Sequence, residues 1–118
     1  MRFMISFNDG DMNFPQEDFA AVGRAAHDVM HEAMAVGAWI VGGGFMGFHP
    51  EVVKEDGTVT QGPLAVSAVH IGGFTILEVE SKEEAHAWAA KIAKACRCPQ
   101  EVREMMEDQE QEELQAHS

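Results

Sequence analysis

A short apolar run, Phe3 to Phe7, opens the chain and stops in Asn8-Asp9-Gly10-Asp11, a turn-rich cluster that marks the end of a first strand. The pattern then changes period. Pro15 suits the first turn of a helix, and Phe19, Val22, Ala26, Val29, Met30 and Ala33 recur at spacings of three and four, which predicts a helix from Pro15 to Val36. Gly37 stands where a left-handed C-cap is wanted. Ala38 to Phe48 mixes Trp39, Ile40, Val41, Phe45, Met46 and Phe48 with Gly42, Gly43, Gly44 and Gly47, and reads as a strand that is bulged or closely approached at its glycines.

Glu51 to Glu55 and Thr58 to Thr60 flank Asp56-Gly57, a dipeptide that favours a two-residue hairpin turn. Gln61-Gly62-Pro63-Leu64 breaks the pairing, and a loop through Ala65 to Val69 follows. After Gly72-Gly73, the residues Phe74, Ile76, Leu77 and Val79 predict a buried strand. Ser81 with Glu84 forms a capping box, so a helix starts at about Lys82 and carries Ala85, Trp88, Ala89, Ile92 and Cys96 on one stripe before Pro99. Glu101 to Met106 fits a helix by composition and a returning edge strand by position; from Glu107 onward the charge predicts a solvated helix or a frayed tail.

Length and charge narrow the function. A chain of 118 residues makes one domain with its own core, here residues 1–106 followed by an acidic 107–118 segment. Eight basic against 20 acidic residues give a net charge of −12, which opposes nucleic acid and anionic membrane as partners. Cys96 and Cys98 are too close for an ordinary structural disulfide and too few for a zinc site, so they read as reduced thiols of a cytoplasmic protein. The uncharged run from Ala33 to Phe48 is short of a membrane span, and Asn8, Asp9 and Asp11 interrupt any signal peptide.

The order strand, helix, strand, hairpin, strand, helix, edge segment resembles the YCII-related family, in particular its DGPF-type branch, over residues 1 to about 106. The pieces that carry the resemblance are Met1-Arg2-Phe3-Met4, Gly37-Ala38, Lys54-Glu55-Asp56-Gly57, Gly62-Pro63 and Gly72-Gly73-Phe74-Thr75-Ile76. Glu84-Ala85 with Trp88-Ala89, and Glu101-Val102-Arg103, complete them. Gln61-Gly62-Pro63-Leu64 stands where that branch has Asp-Gly-Pro-Phe, keeping the turn-forming pair without the acid or the aromatic. The resemblance implies an α+β, ferredoxin-like sheet with two helices on one face, closed by a second copy into a dimeric α+β barrel. It also implies a histidine and aspartate pair in active members. No such pair transfers residue by residue, because no aspartate lies between Gly37 and Asp56 and no histidine falls at the matching helix position. The hydrophobic pattern independently calls for a homodimer: two helices cover one face of a sheet whose strands are apolar on both.

Candidate chemistry rests on histidines. His27 and His31 are one helical turn apart, but on a helical wheel they lie about 110° and about 150° from the apolar stripe, so both read as solvent-facing. His49 and His70 stand near strand ends, and His70 directly precedes Ile71-Gly72-Gly73, where the glycines leave room for a ligand. Asp9, at the outgoing end of the first strand, is the nearest carboxylate by topology. His70, His49 and Asp9 are the candidates for proton transfer of the isomerase or lyase kind. The cluster Gly42-Gly43-Gly44 with Gly47 lies inside a strand rather than ahead of a helix, so it reads as packing rather than a dinucleotide loop. Ser67 lacks a nucleophile-elbow context, and no cofactor or metal is expected. The expected function is a cytoplasmic homodimer that binds a small organic molecule; the alternative is a non-catalytic protein-binding or regulatory module with an acidic tail.

Overall fold

The computed structural model describes residues 1–47, 50–63 and 70–117. Phe48, His49, residues 64–69 and Ser118 lie outside the described residues, and with them the loop expected at Ala65 to Val69; the second strand, expected to run to Phe48, ends at Gly44. The elements are β1 (Arg2–Asn8), a 3-10 turn (Gln16–Asp18), α1 (Phe19–Ala35), β2 (Trp39–Gly44), β3 (Glu51–Val53) and β4 (Val59–Gln61). They continue with β5 (Ile71–Glu78), α2 (Lys82–Cys96), β6 (Glu101–Glu104) and α3 (Gln109–Ala116).

The main sheet has the order β2-β5-β1-β6, with every neighbouring pair antiparallel, and β3 and β4 form a ladder of their own. α1 carries the chain from β1 past β5 to β2, and α2 carries it from β5 past β1 to β6. Two right-handed crossovers of this kind put both helices on one face. The architecture is α+β and fits a ferredoxin-like fold. Alternation along the strands assigns Phe3, Ile5, Thr75 and Leu77 to the helix side, where they are buried with Val29, Ala33, Ala85 and Ala89. Phe3, Ile5 and Leu77 are almost wholly out of water, a burial of about 2 kcal/mol each. Glu32 and Lys91, 3.2 Å apart, join the two helices at their surface.

Local chemistry fixes the boundaries. Ser81 Oγ accepts from the Glu84 backbone N–H, and the Glu84 carboxylate accepts from the Glu80 N–H, so the expected capping box forms one residue wider than its usual pattern. Gly37, at φ +75°, ends α1. α1 itself begins at Phe19 rather than Pro15, because residues 16–18 form the tighter 3-10 turn and the Asp18 carboxylate binds Arg97 at 2.7 Å instead of capping. Phe19, expected on the apolar stripe, is 71% exposed.

One expected detail differs, and one open alternative is resolved. The hairpin turn is not two residues long: Lys54 and Thr58 remain paired, Gly57 donates to the Lys54 carbonyl, and only Gly57 has positive φ, so Glu55-Asp56-Gly57 makes a three-residue loop. The segment that composition left open is strand at Glu101–Glu104, paired with β1, and α3 beyond it is a helix with no buried residue. α3 is held to the sheet through Arg2, which donates to Gln111 and Gln115 at 3.5 and 3.2 Å.

Replacing the α2 cap, Ser81→Ala, is expected to cost about 1 kcal/mol in a thermal or denaturant melt. Ending the chain after Met106 is expected to leave a single cooperative transition, since α3 buries nothing; loss of cooperativity on that truncation would make residues 107–118 part of the domain.

Candidate functional site

A cleft-like cavity of about 340 Å³ lies between the two helices and the β2 end of the sheet. Ile5 and Phe7 of β1, Trp39 of β2, Val29 and Met30 of α1, and Ile92 of α2 give it an apolar wall. Met12, from the segment before α1, adds to it. Its β2 side is backbone: Gly42, Gly43 and Gly44.

These glycines are not equivalent. A Cβ at Gly42 would lie 2.8 Å from Thr75 Oγ1 and 2.8 Å from the Trp39 ring, and one at Gly73 would lie 2.5 Å from the Phe7 ring. Both positions need glycine because an aromatic ring occupies the space of the missing side chain. At Gly44 the nearest atom would be the Gly72 carbonyl oxygen at 3.8 Å, and at Gly43 nothing comes within 4 Å. A register shift between Trp39 and Val41 places Trp39 opposite Leu77 on the helix side and Val41 opposite Ile76 on the other, with Ile40 as the extra residue. The expected bulge is therefore present, at the entrance to the glycine run.

The polar groups on the wall are few. Thr75 is buried; Gln100 is half-buried and its side-chain amide donates to the Cys98 carbonyl at 3.3 Å; His27 is exposed at the rim. Cys96 also faces the cavity. Burial pushes its thiol pKa up, and the neighbouring Cys98 adds to the rise. Cys98 is raised by burial and by the negative charge of Asp11, partly offset by the Gln100 hydrogen bond. Both cysteines are free and buried, and at neutral pH they are thiols rather than nucleophilic thiolates.

Two of the expected proton-transfer residues, Asp9 and His70, meet elsewhere through their backbones. Asp9 N–H donates to the His70 carbonyl oxygen at 2.7 Å, beside the irregularity where Asn8 pairs with Ile71, and Gly72 lets the Asp9 backbone come close. Asp9 is exposed and His70 half-buried; neither lines the cavity. His49 lies outside the described residues. His27, read from the helical wheel as pointing outward, is indeed exposed, yet it stands on the cavity rim, and His31 is exposed. Among the described residues no three histidine, cysteine or acidic side chains are grouped to hold a metal ion, and no helix is long and apolar enough to cross a membrane.

No family model matches the chain, and no curated protein does. Among solved structures the chain is similar to 5-chloro-2-hydroxyhydroquinone dehydrochlorinase from Burkholderia phenoliruptrix AC1100, in complex with 2,5-dihydroxybenzoquinone. The two share 17% identity over 93% of this chain and 98% of that one, with a TM-score of 0.49. A likeness at that level carries nothing about ligand or chemistry.

The raised thiols give a pH dependence. With folded-state pKa values above the ordinary 9.0, the folded chain keeps protons that the unfolded chain loses. Their stabilisation is full below about pH 9 and is lost as pH rises through the folded-state values. The melting temperature is expected to fall as the pH rises above about 9, and to fall less in a Cys96→Ala, Cys98→Ala double variant measured over the same interval.

Proposed function

We propose that the protein is a YCII-related homodimer that binds a small organic molecule in the cavity between α1, α2 and the glycine end of β2. The observation that carries this reading is the cavity itself: about 340 Å³ of largely apolar space, in the size range of small-molecule sites. A partner copy is called for by the sheet face away from the helices. Ile40, Val41, Phe45 and Ile71 are 41%, 50%, 58% and 42% exposed there, around the half-buried Met4, Phe74 and Ile76. The rings of Phe45 and Phe74 lie 5.7 Å apart on that surface. An apolar patch of this kind marks an interface, and a second copy laying its own patch against it gives the dimeric α+β barrel.

Proton transfer of the isomerase or lyase kind by His70, His49 and Asp9 is a separate proposal: a backbone hydrogen bond brings Asp9 and His70 together, but neither lines the cavity, so they would act on a molecule bound at their own end of β1 and β5. The competing reading, a protein-binding module, rests on the exposed acidic α3 and leaves the cavity without a purpose.

Sedimentation at micromolar concentration is expected to return twice the chain mass, and a Val41→Asp, Phe45→Asp variant to return the chain mass with its cooperative melt kept. A well-behaved wild-type monomer contradicts the dimer. The neutral fluorophore N-phenyl-1-naphthylamine is expected to bind once per chain, and Gly44→Phe to abolish that binding; no binding by the wild type, or full affinity in the variant, contradicts the cavity.

A further inference from the structure

We infer that the cavity selects uncharged, largely apolar molecules, and that Gly23 of α1 is a specificity-determining residue that keeps its mouth open. The inference rests on the cavity being the binding site, and adds to it the class of ligand and the residue that admits it.

Charge follows from the walls. Among the described residues that line the cavity there is no lysine, arginine, aspartate or glutamate, so an ionised ligand would lose its water with no fixed counter-charge in return. The electrostatic surroundings also disfavour anions. Cys96 closes the last turn of α2, whose carbonyl end is the negative pole of that helix, and the whole chain carries a net charge of −12. The rise of the Cys96 thiol pKa in this same wall reports an environment that penalises charge. Side-chain hydrogen bonding comes from Thr75, Gln100, the Cys96 thiol and, at the rim, His27, which suits one or two polar substituents on a hydrocarbon frame.

Gly23 lies in the interior of α1, where glycine is among the poorest helix formers. Nothing in the fold requires it: a Cβ there would meet no atom within 4 Å, in contrast to Gly42 and Gly73, whose missing side chains make room for Trp39 and Phe7. Gly23 does border the cavity, one helical turn before His27, which stands on the same rim. On the sheet side, Gly44 borders the same cavity, where a Cβ would meet only the Gly72 carbonyl oxygen at 3.8 Å. A side chain at residue 23 would project into the opening without displacing a packed neighbour.

The test uses three probes that share one ring system and differ in charge at neutral pH: 1-naphthalenemethanol, 1-naphthoate and 1-naphthylmethylammonium, titrated calorimetrically into the full-length protein. The alcohol is expected to bind about tenfold or more tighter than either ion. Gly23→Leu is expected to keep or raise the melting temperature while weakening the alcohol by about tenfold or more, and Gly23→Ala to raise the melting temperature with a smaller loss. Equal or tighter binding of either ion overturns the ligand class and leaves the cavity reading standing; full affinity for the alcohol in both Gly23 variants overturns the gate. Absence of binding by all three probes overturns the cavity reading itself, and this inference with it. If Gly23→Leu fails to fold, Gly23→Ala decides the gate.

Discussion

One-sided coverage of the sheet is the constraint on which the rest of the molecule depends. Two right-handed crossovers leave no choice about where α1 and α2 lie, so the chain must close its core on one face and leave the other to its surroundings. On the covered face, size is matched across the interface. Where the sheet presents Phe3, Ile5 and Leu77, the helices present Ala33, Ala85 and Ala89, and the core is closed. Toward the end of β2 the sheet runs into Gly42, Gly43 and Gly44 while α1 offers Gly23 and Ala26. Small residues then face small residues, and the volume between them is left unfilled.

The same face shows glycine in a second role. Phe7 lies over Gly73 and Trp39 over Gly42, each ring taking the place of an absent side chain on or beside its own strand. These contacts fix two aromatic rings in the wall of the cavity, so its shape is set by backbone approach rather than by long flexible side chains. The irregularities that flank them, at Phe7–Asn8 and at Trp39–Val41, decide which residues face the helices and which face away.

Much of this was legible in the sequence, and for identifiable reasons. Ser81 and Glu84 announce α2 because a cap is a local interaction, and the period of Ala85, Ala89, Ile92 and Cys96 announces its buried stripe. Gly37 announces the end of α1 in the same way. The start of α1 was less legible because Asp18 is committed to Arg97, a residue 79 positions away, and no local pattern records that bond. Asp56-Gly57 signalled the hairpin correctly, but loop length depends on whether Lys54 and Thr58 stay paired. The glycines of β2 could be read as a site of packing or bulging; which ring fills which gap could not. His27 shows the limit most clearly. An angle of about 110° from the apolar stripe is neither core nor open solvent but the flank of the helix, and the flank is where a cleft between helix and sheet has its rim.

Arg97 joins parts of the molecule that share no backbone pairing. It takes a left-handed φ of 60° at the end of α2, and from there its guanidinium reaches Asp18 at 2.7 Å and sits 5.9 Å above the Phe14 ring. Both partners belong to the stretch before α1 that also contributes Met12 to the cavity. This clasp is partly exposed and electrostatic, and so it weakens as electrolyte is added. The glycine side of the chamber is held by the backbone ladder with β5, hydrogen bonds rather than an ion pair. Added electrolyte therefore acts first on the side that Met12 lines.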